Sequence, residues 1–148
     1  MEQLLYRTLI YLHVISVVAS IGPFFLLLLT MKKLRTVSPS ILPSYLDTFR
    51  YTVQLSKHSG HVLVGSGILL VLLGPWTWTT PWIIMTLVIM FCSLFFLARA
   101  FSPTLRKFGE EDADREKLVG KLHRTVWTYL ILLLAMLWFM VVKPGMWM

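Results

Sequence analysis

Four long segments of this sequence are almost free of charged residues, and this restricts the fold more than any other feature. They cover residues 4–31, 55–76, 81–101 and 125–142. A helix rises about 1.5 Å per residue, so about 20 apolar residues cross the roughly 30 Å hydrocarbon layer of a bilayer. Hydrophobic residues make up 57% of the chain and charged residues only 14%. The sequence therefore predicts one all-α domain over residues 1–148, a four-span transmembrane helix bundle in contact with the lipid bilayer.

The second of these spans has a polar half. Its purely apolar run covers residues 62–73, which is too short to cross the bilayer, so the span must extend back through His61, His58 and Lys57. Before it, residues 38–44 contain two prolines and predict a turn-rich loop. Residues 45–51 predict an interfacial helix that runs into the span.

Lysine and arginine are concentrated in two of the connections between spans. The basic residues there are Lys32, Lys33, Arg35, Arg50, Lys57, Arg99, Arg106, Lys107, Arg115, Lys117, Lys121 and Arg124. The connection at residues 74–81 has two tryptophans and no charge. Short basic connections stay in the cytoplasm. We therefore expect a multi-pass protein of the bacterial inner membrane with both termini outside. This bias explains the net charge of +7, and no nucleic-acid partner is expected.

Acidic residues cluster in the last connection. Five of the seven acids lie there, namely Glu110, Glu111, Asp112, Asp114 and Glu116. Negative charge early in a helix and positive charge late in it suit the helix dipole. We expect the fourth helix to begin in this segment with Asp112 or Asp114 as its cap.

His13 is the most deeply placed ionisable residue of the first span. At about 100° per residue, it lies on one side of the helix with Ser16, Ser20 and Pro23. One interpretation is a hydrogen bond from His13 to a neighbouring helix, with the serines allowing close packing. The other is that His13 binds a heme iron or a copper ion, since a neutral imidazole binds both.

His58 and His61 are three residues apart and share one face of the second span. Gly60, Gly67 and Gly74 recur every seven residues on roughly the opposite face, which is typical of a close helix contact. Two imidazoles one turn apart are a plausible ligand pair. The alternative is that His58 lies at headgroup depth and ends the span.

Depth along the spans indicates which histidines are level with one another. At about 1.5 Å per residue from the outer ends, His13 is about 12 Å deep, His61 about 22 Å, His58 about 27 Å and His123 about 28 Å. His58 and His123 therefore match best as ligands of one heme. His13 and His61 differ by roughly 10 Å but are the deepest candidates for binding heme or a metal. His123 also fits a plain interfacial role.

Common enzyme motifs are missing from the sequence. It has no Gly-rich phosphate loop, no His-Glu-x-x-His and no nucleophile elbow. No acid lies within a span, so proton-coupled transport is poorly supported. A copper carrier needs methionines along one path, and the sequence spacing does not give a single file. The methionines considered are Met85, Met90, Met136 and Met140.

Two apolar motifs resemble a known group of membrane proteins. They are LHVIS at residues 12–16 and GSGILLVLLGPW at residues 65–76. The chain resembles small bacterial integral membrane proteins of unknown function related to the copper-resistance protein D membrane domain and the HemJ-type protoporphyrinogen oxidase. The resemblance covers spans one to three and implies heme binding by His13. The oxidase has a lysine early in its third span, whereas here Trp82 is followed by Ile83 and Ile84. The resemblance therefore does not imply that this chain oxidises porphyrinogen.

The sequence supports three functional hypotheses and leaves enzymatic activity undecided. The first is a protein that binds heme b or another metal through intramembrane histidines and passes electrons, with a quinone as a candidate partner. The second is a non-catalytic accessory or assembly subunit, in which the glycine face of span two packs on another membrane subunit or on a second copy. The third is a copper transport or resistance protein.

Overall fold

The computed structural model describes residues 1–108 and 114–143, and they form an all-α bundle. The four helices are α1 (Glu2–Leu34), α2 (Leu42–Leu73), α3 (Pro81–Lys107) and α4 (Arg115–Val142). Each is long and apolar enough to cross a membrane. The predicted four-span bundle is confirmed, and the chain is a multi-pass membrane protein.

The helices extend beyond the predicted spans on the side of the basic connections. α2 begins at Leu42 instead of residue 55, and α4 begins at Arg115 instead of residue 125. The interfacial segment at residues 45–51 is therefore the first part of α2. Hydropathy marks only the part of a helix inside the lipid, so it does not detect these polar turns.

Local sequence explains where the helices begin and end. Pro81 opens α3 directly after Thr80, a position where the missing N–H of proline costs nothing. Asp114 caps α4, and its carboxylate accepts a hydrogen bond from the Lys117 backbone N–H. The prediction of a cap at Asp114 is confirmed, whereas Asp112 lies outside the described residues.

The helices pack as a ring in chain order. α1 packs extensively along α2, α3 packs along α4, and α1 also contacts α4, whereas α2 and α3 make the smallest interface. In the described part of the chain, α2 and α4 lie diagonally, with no Cα–Cα separation of 8 Å or less. Arg115 donates a hydrogen bond to the Val37 carbonyl and fastens the start of α4 to the first connection.

An aromatic cluster lies in the core of the bundle. The ring centroid of Phe24 lies 4.8 Å from the ring centroid of Tyr129 and 5.9 Å from that of Phe101. At the opposite end of the bundle from the α1–α2 connection, Lys143 lies over the rings of Trp76 and Trp82. Large apolar side chains cover the outside, as expected for a surface in contact with lipid.

Candidate functional site

His13 lies on the face of α1 that is turned towards the bundle interior. Its side chain is half-buried, and the serines that follow at Ser16 and Ser20 are 4% and 2% exposed. The predicted small polar stripe on α1 is thus confirmed as an interior face. It brings an imidazole into the space between α1, α2 and α4.

One edge of the His13 ring packs on α2. Its Nδ1 lies 2.9 Å from the hydroxyl oxygen of Ser66, and that hydroxyl lies 3.1 Å from the carbonyl of Leu63. A Cβ at Gly67 would lie 3.2 Å from His13 Cε1. The glycine therefore lets the imidazole lie close to the backbone of α2, and the serine fixes its rotation.

The other edge of the ring faces α4. His13 Nε2 lies 3.4 Å from the sulfur of Met140. If the Ser66 hydroxyl donates to Leu63, then Nδ1–H of His13 donates to Ser66, and Nε2 presents a lone pair to the sulfur. If Ser66 donates to Nδ1 instead, Nε2–H donates a weak hydrogen bond to the sulfur. In the first arrangement two electron-pair donors face each other, as in a site for a soft cation.

Sequence reasoning missed Ser66 and Met140 as partners of His13. They lie 53 and 127 residues away along the chain. Ser66 did carry a signal, because it stands between two glycines on the helix that the glycine repeat assigns to a close contact. Met140 carried a weaker signal, since it lies one turn after Met136 on α4.

His58 and His61 lie on the outer surface of α2. Both side chains are exposed, and Nδ1–H of His61 donates to the carbonyl of Lys57 at 2.7 Å. This leaves Nε2 of His61 directed away from the backbone. The structure does not bring His61 close to His13, since one lies outside the bundle and the other faces its interior.

His123 is also exposed, on α4. Its Nε2 accepts a hydrogen bond from the indole N–H of Trp127 at 3.2 Å. Since α2 and α4 are diagonal in the bundle, His58 and His123 are not neighbours in one chain. Their roles as ligands stay a prediction, and any such ligand would lie on the outer surface of the bundle.

The glycine repeat of α2 faces inward. Gly67 contacts His13, and a Cβ at Gly74 would lie 3.0 Å from the hydroxyl of Tyr6, so both glycines serve the packing of α1 on α2. Gly60 has open space where a Cβ would point. The interpretation of this face as a surface for another subunit is therefore not supported, because α1 of the same chain covers much of it.

Among residues 1–108 and 114–143, no three side chains of His, Cys, Asp or Glu come together as a metal site. A metal at His13 would have Met140 as its second ligand, and thioether sulfur is a soft ligand that binds copper(I) and also heme iron. No protein-family model, curated protein or solved structure matches this chain.

Proposed function

We propose that this membrane protein binds copper(I) between His13 and Met140, and that its role is copper transport or resistance. The observation that carries the proposal is the separation of 3.4 Å between His13 Nε2 and Met140 Sδ. Imidazole and thioether together suit copper(I), because thioether sulfur is a soft ligand and imidazole binds copper well. The resemblance to the copper-resistance protein D membrane domain supports the same metal.

The surroundings of His13 suit a metal ligand. Histidines that bind metals usually donate their second ring N–H to an oxygen, which fixes the tautomer and the direction of the ring. Ser66 offers that oxygen at 2.9 Å, and the Leu63 carbonyl in turn accepts the proton of Ser66. This chain of hydrogen bonds leaves Nε2 free to bind a cation on the side of Met140.

The distance between the two donor atoms is compatible with one shared ion. With bond lengths of about 2.0 Å to nitrogen and about 2.3 Å to sulfur, as zinc sites show, 3.4 Å between the donors gives an angle of roughly 105° at the metal. The ion would lie beside the line that joins the two atoms. His13 and Met140 would then hold it without separation of α1 from α4.

The separation between His13 Nε2 and Met140 Sδ favours copper(I) over a heme iron held between these two residues. A heme iron bound by the two residues from opposite sides of the porphyrin, at about 2.0 Å from nitrogen and about 2.3 Å from sulfur, would need about 4.3 Å between the donors, whereas Nε2 and Sδ are 3.4 Å apart. Heme binding at His13, and the electron transfer with a quinone that depends on it, therefore receives no support from this geometry.

The distribution of basic residues supports a position of the site near the outer surface. Under the proposed orientation in a bacterial inner membrane, with both termini outside, His13 lies about 12 Å below that surface. Met140 lies near the end of α4, on the same side of the membrane. The pair would therefore meet an ion that arrives from outside the cell.

Titration of the purified chain with copper(I), in competition with a chromophoric chelator, tests the proposal. We expect His13→Ala and Met140→Leu each to lose one equivalent of bound ion. His58→Ala and Met85→Leu are matched controls, because neither residue contributes to the pair, and both should bind as the wild type does. Wild-type binding by His13→Ala would overturn the assignment.

A further inference from the structure

A small cavity lies deeper in the bundle than His13 and Met140. Its volume is about 20 Å³, enough for one water molecule or one small ion, and all four helices line it. Its polar and sulfur-containing lining residues are Ser20, Met90, Ser93, Tyr129 and Met136. Most of this surface is apolar.

The hydroxyl of Ser20 is the first observation that points to a ligand in this cavity. Ser20 is 2% exposed, and within the described ranges its Oγ has no hydrogen-bond partner. The neighbouring hydroxyls are already engaged: Ser93 donates to the Met90 carbonyl, and Ser56 is 3.2 Å from the hydroxyl of Tyr129. A buried hydroxyl without a partner is unfavourable, so an occupant that binds a lone pair of its oxygen would stabilise the bundle.

Two methionines that line the cavity are the second observation that points to a ligand there. Met136 is 4% exposed and lines the cavity from α4, one turn before Met140. Met90 is half-buried and lines it from α3. Spacing along the sequence did not predict a path of methionines, because these two residues lie on different helices. The fold brings both to one cavity, next along α4 from the His13–Met140 pair.

We propose that this cavity is a second binding site for copper(I), held by the thioethers of Met90 and Met136 with the hydroxyl of Ser20. The proposal rests on the proposed function for the identity of the ion. Thioether ligands select copper(I) over hard cations, and an apolar wall does not stabilise a hydrated one. His13 and Met140 would receive the ion, and Met136 and Met90 would bind it about two turns deeper along α1.

Ion stoichiometry of the full chain in detergent tests this site, with silver(I) and copper(I) as probes and elemental analysis as the readout. We expect two ions per wild-type chain and one ion for the double variant Met90→Leu with Met136→Leu. Leucine keeps the volume and apolarity of methionine, so this variant should fold. Met85→Leu is the matched control and should keep both ions. Ser20→Ala should lower the affinity of the second site for the ion without changing the affinity of the first site.

The outcomes separate this proposal from the proposed function. If the double variant keeps two ions, the second site is overturned. If the wild type binds one ion that only His13→Ala removes, the second site fails and the proposed function stands. If it binds one ion that only the double methionine variant removes, the second site stands and the proposed function fails. Wild-type protein without bound ion overturns both.

Discussion

The imidazole of His13 and the thioether of Met140 meet between the first and last helices, with Nε2 and Sδ 3.4 Å apart. The direction of helical side chains explains this contact. Side chains lean towards the N-terminus of their own helix, and α1 and α4 run in opposite directions. His13 therefore reaches towards the end of the bundle that holds the chain termini, and Met140 reaches away from it. The two side chains converge although their backbones are at different depths.

Under the proposed function, removal of the Ser66 hydroxyl should weaken copper(I) binding without abolishing it. Ser66→Ala takes away the oxygen that lies 2.9 Å from His13 Nδ1, so the tautomer and the rotation of the ring are no longer fixed. Loss of such a supporting group typically lowers metal affinity about 10- to 100-fold. Competition titration with copper(I) measures the change, and Ser59→Ala on the same helix serves as the control. An unchanged affinity would show that Ser66 does not orient His13.

A side chain at Gly67 should displace the imidazole. In Gly67→Leu, the new Cβ would begin 3.2 Å from His13 Cε1, so the ring must move away from α2. We expect the ion at His13 to be lost and the melting temperature to fall. Gly65→Leu is the matched control, because a Cβ there meets nothing within 4 Å. Equal effects of the two substitutions would contradict the close contact between His13 and Gly67.

The fold followed from the sequence more fully than the site did. The apolar spans, the cap at Asp114 and the inward face of His13 are all local patterns, which depend on residues within a few turns of each other. The contacts of His13 are of another kind, because they join residues far apart in the chain. Depth arithmetic puts Met140 only about 3 Å below the outer end of its span and His13 about 12 Å below, so it did not pair them. The depth estimate ignores how far the two helices are shifted along each other and the direction in which each side chain leans.

Tyr129→Phe should destabilise the bundle. The Tyr129 hydroxyl lies 3.2 Å from Ser56 and links the diagonal helices α2 and α4 through the core. Loss of this buried hydrogen bond should lower the free energy of unfolding by about 1 kcal/mol. Reversible unfolding in mixed micelles measures it. Tyr11→Phe, at an exposed position on α1, should have no measurable effect, and an equally stable Tyr129→Phe variant would contradict the link.

The proposed orientation predicts which positions are accessible from outside an intact cell. In a Cys92→Ser background, Thr79→Cys in the uncharged connection should react with a membrane-impermeant maleimide. Lys33→Cys, in the first basic connection, should react only after the membrane is permeabilised. The physical reason is the retention of short basic connections in the cytoplasm. The reverse labelling pattern would show that the termini face the cytoplasm.

X-ray absorption at the copper edge of the loaded protein tests the central claim most directly. For the variant Met90→Leu with Met136→Leu, which isolates the first site, the account predicts one nitrogen at about 2.0 Å and one sulfur at about 2.3 Å from the metal. The sulfur should disappear when Met140→Leu is added. A copper environment of nitrogen and oxygen alone in the presence of Met140 would contradict a site shared by His13 and Met140.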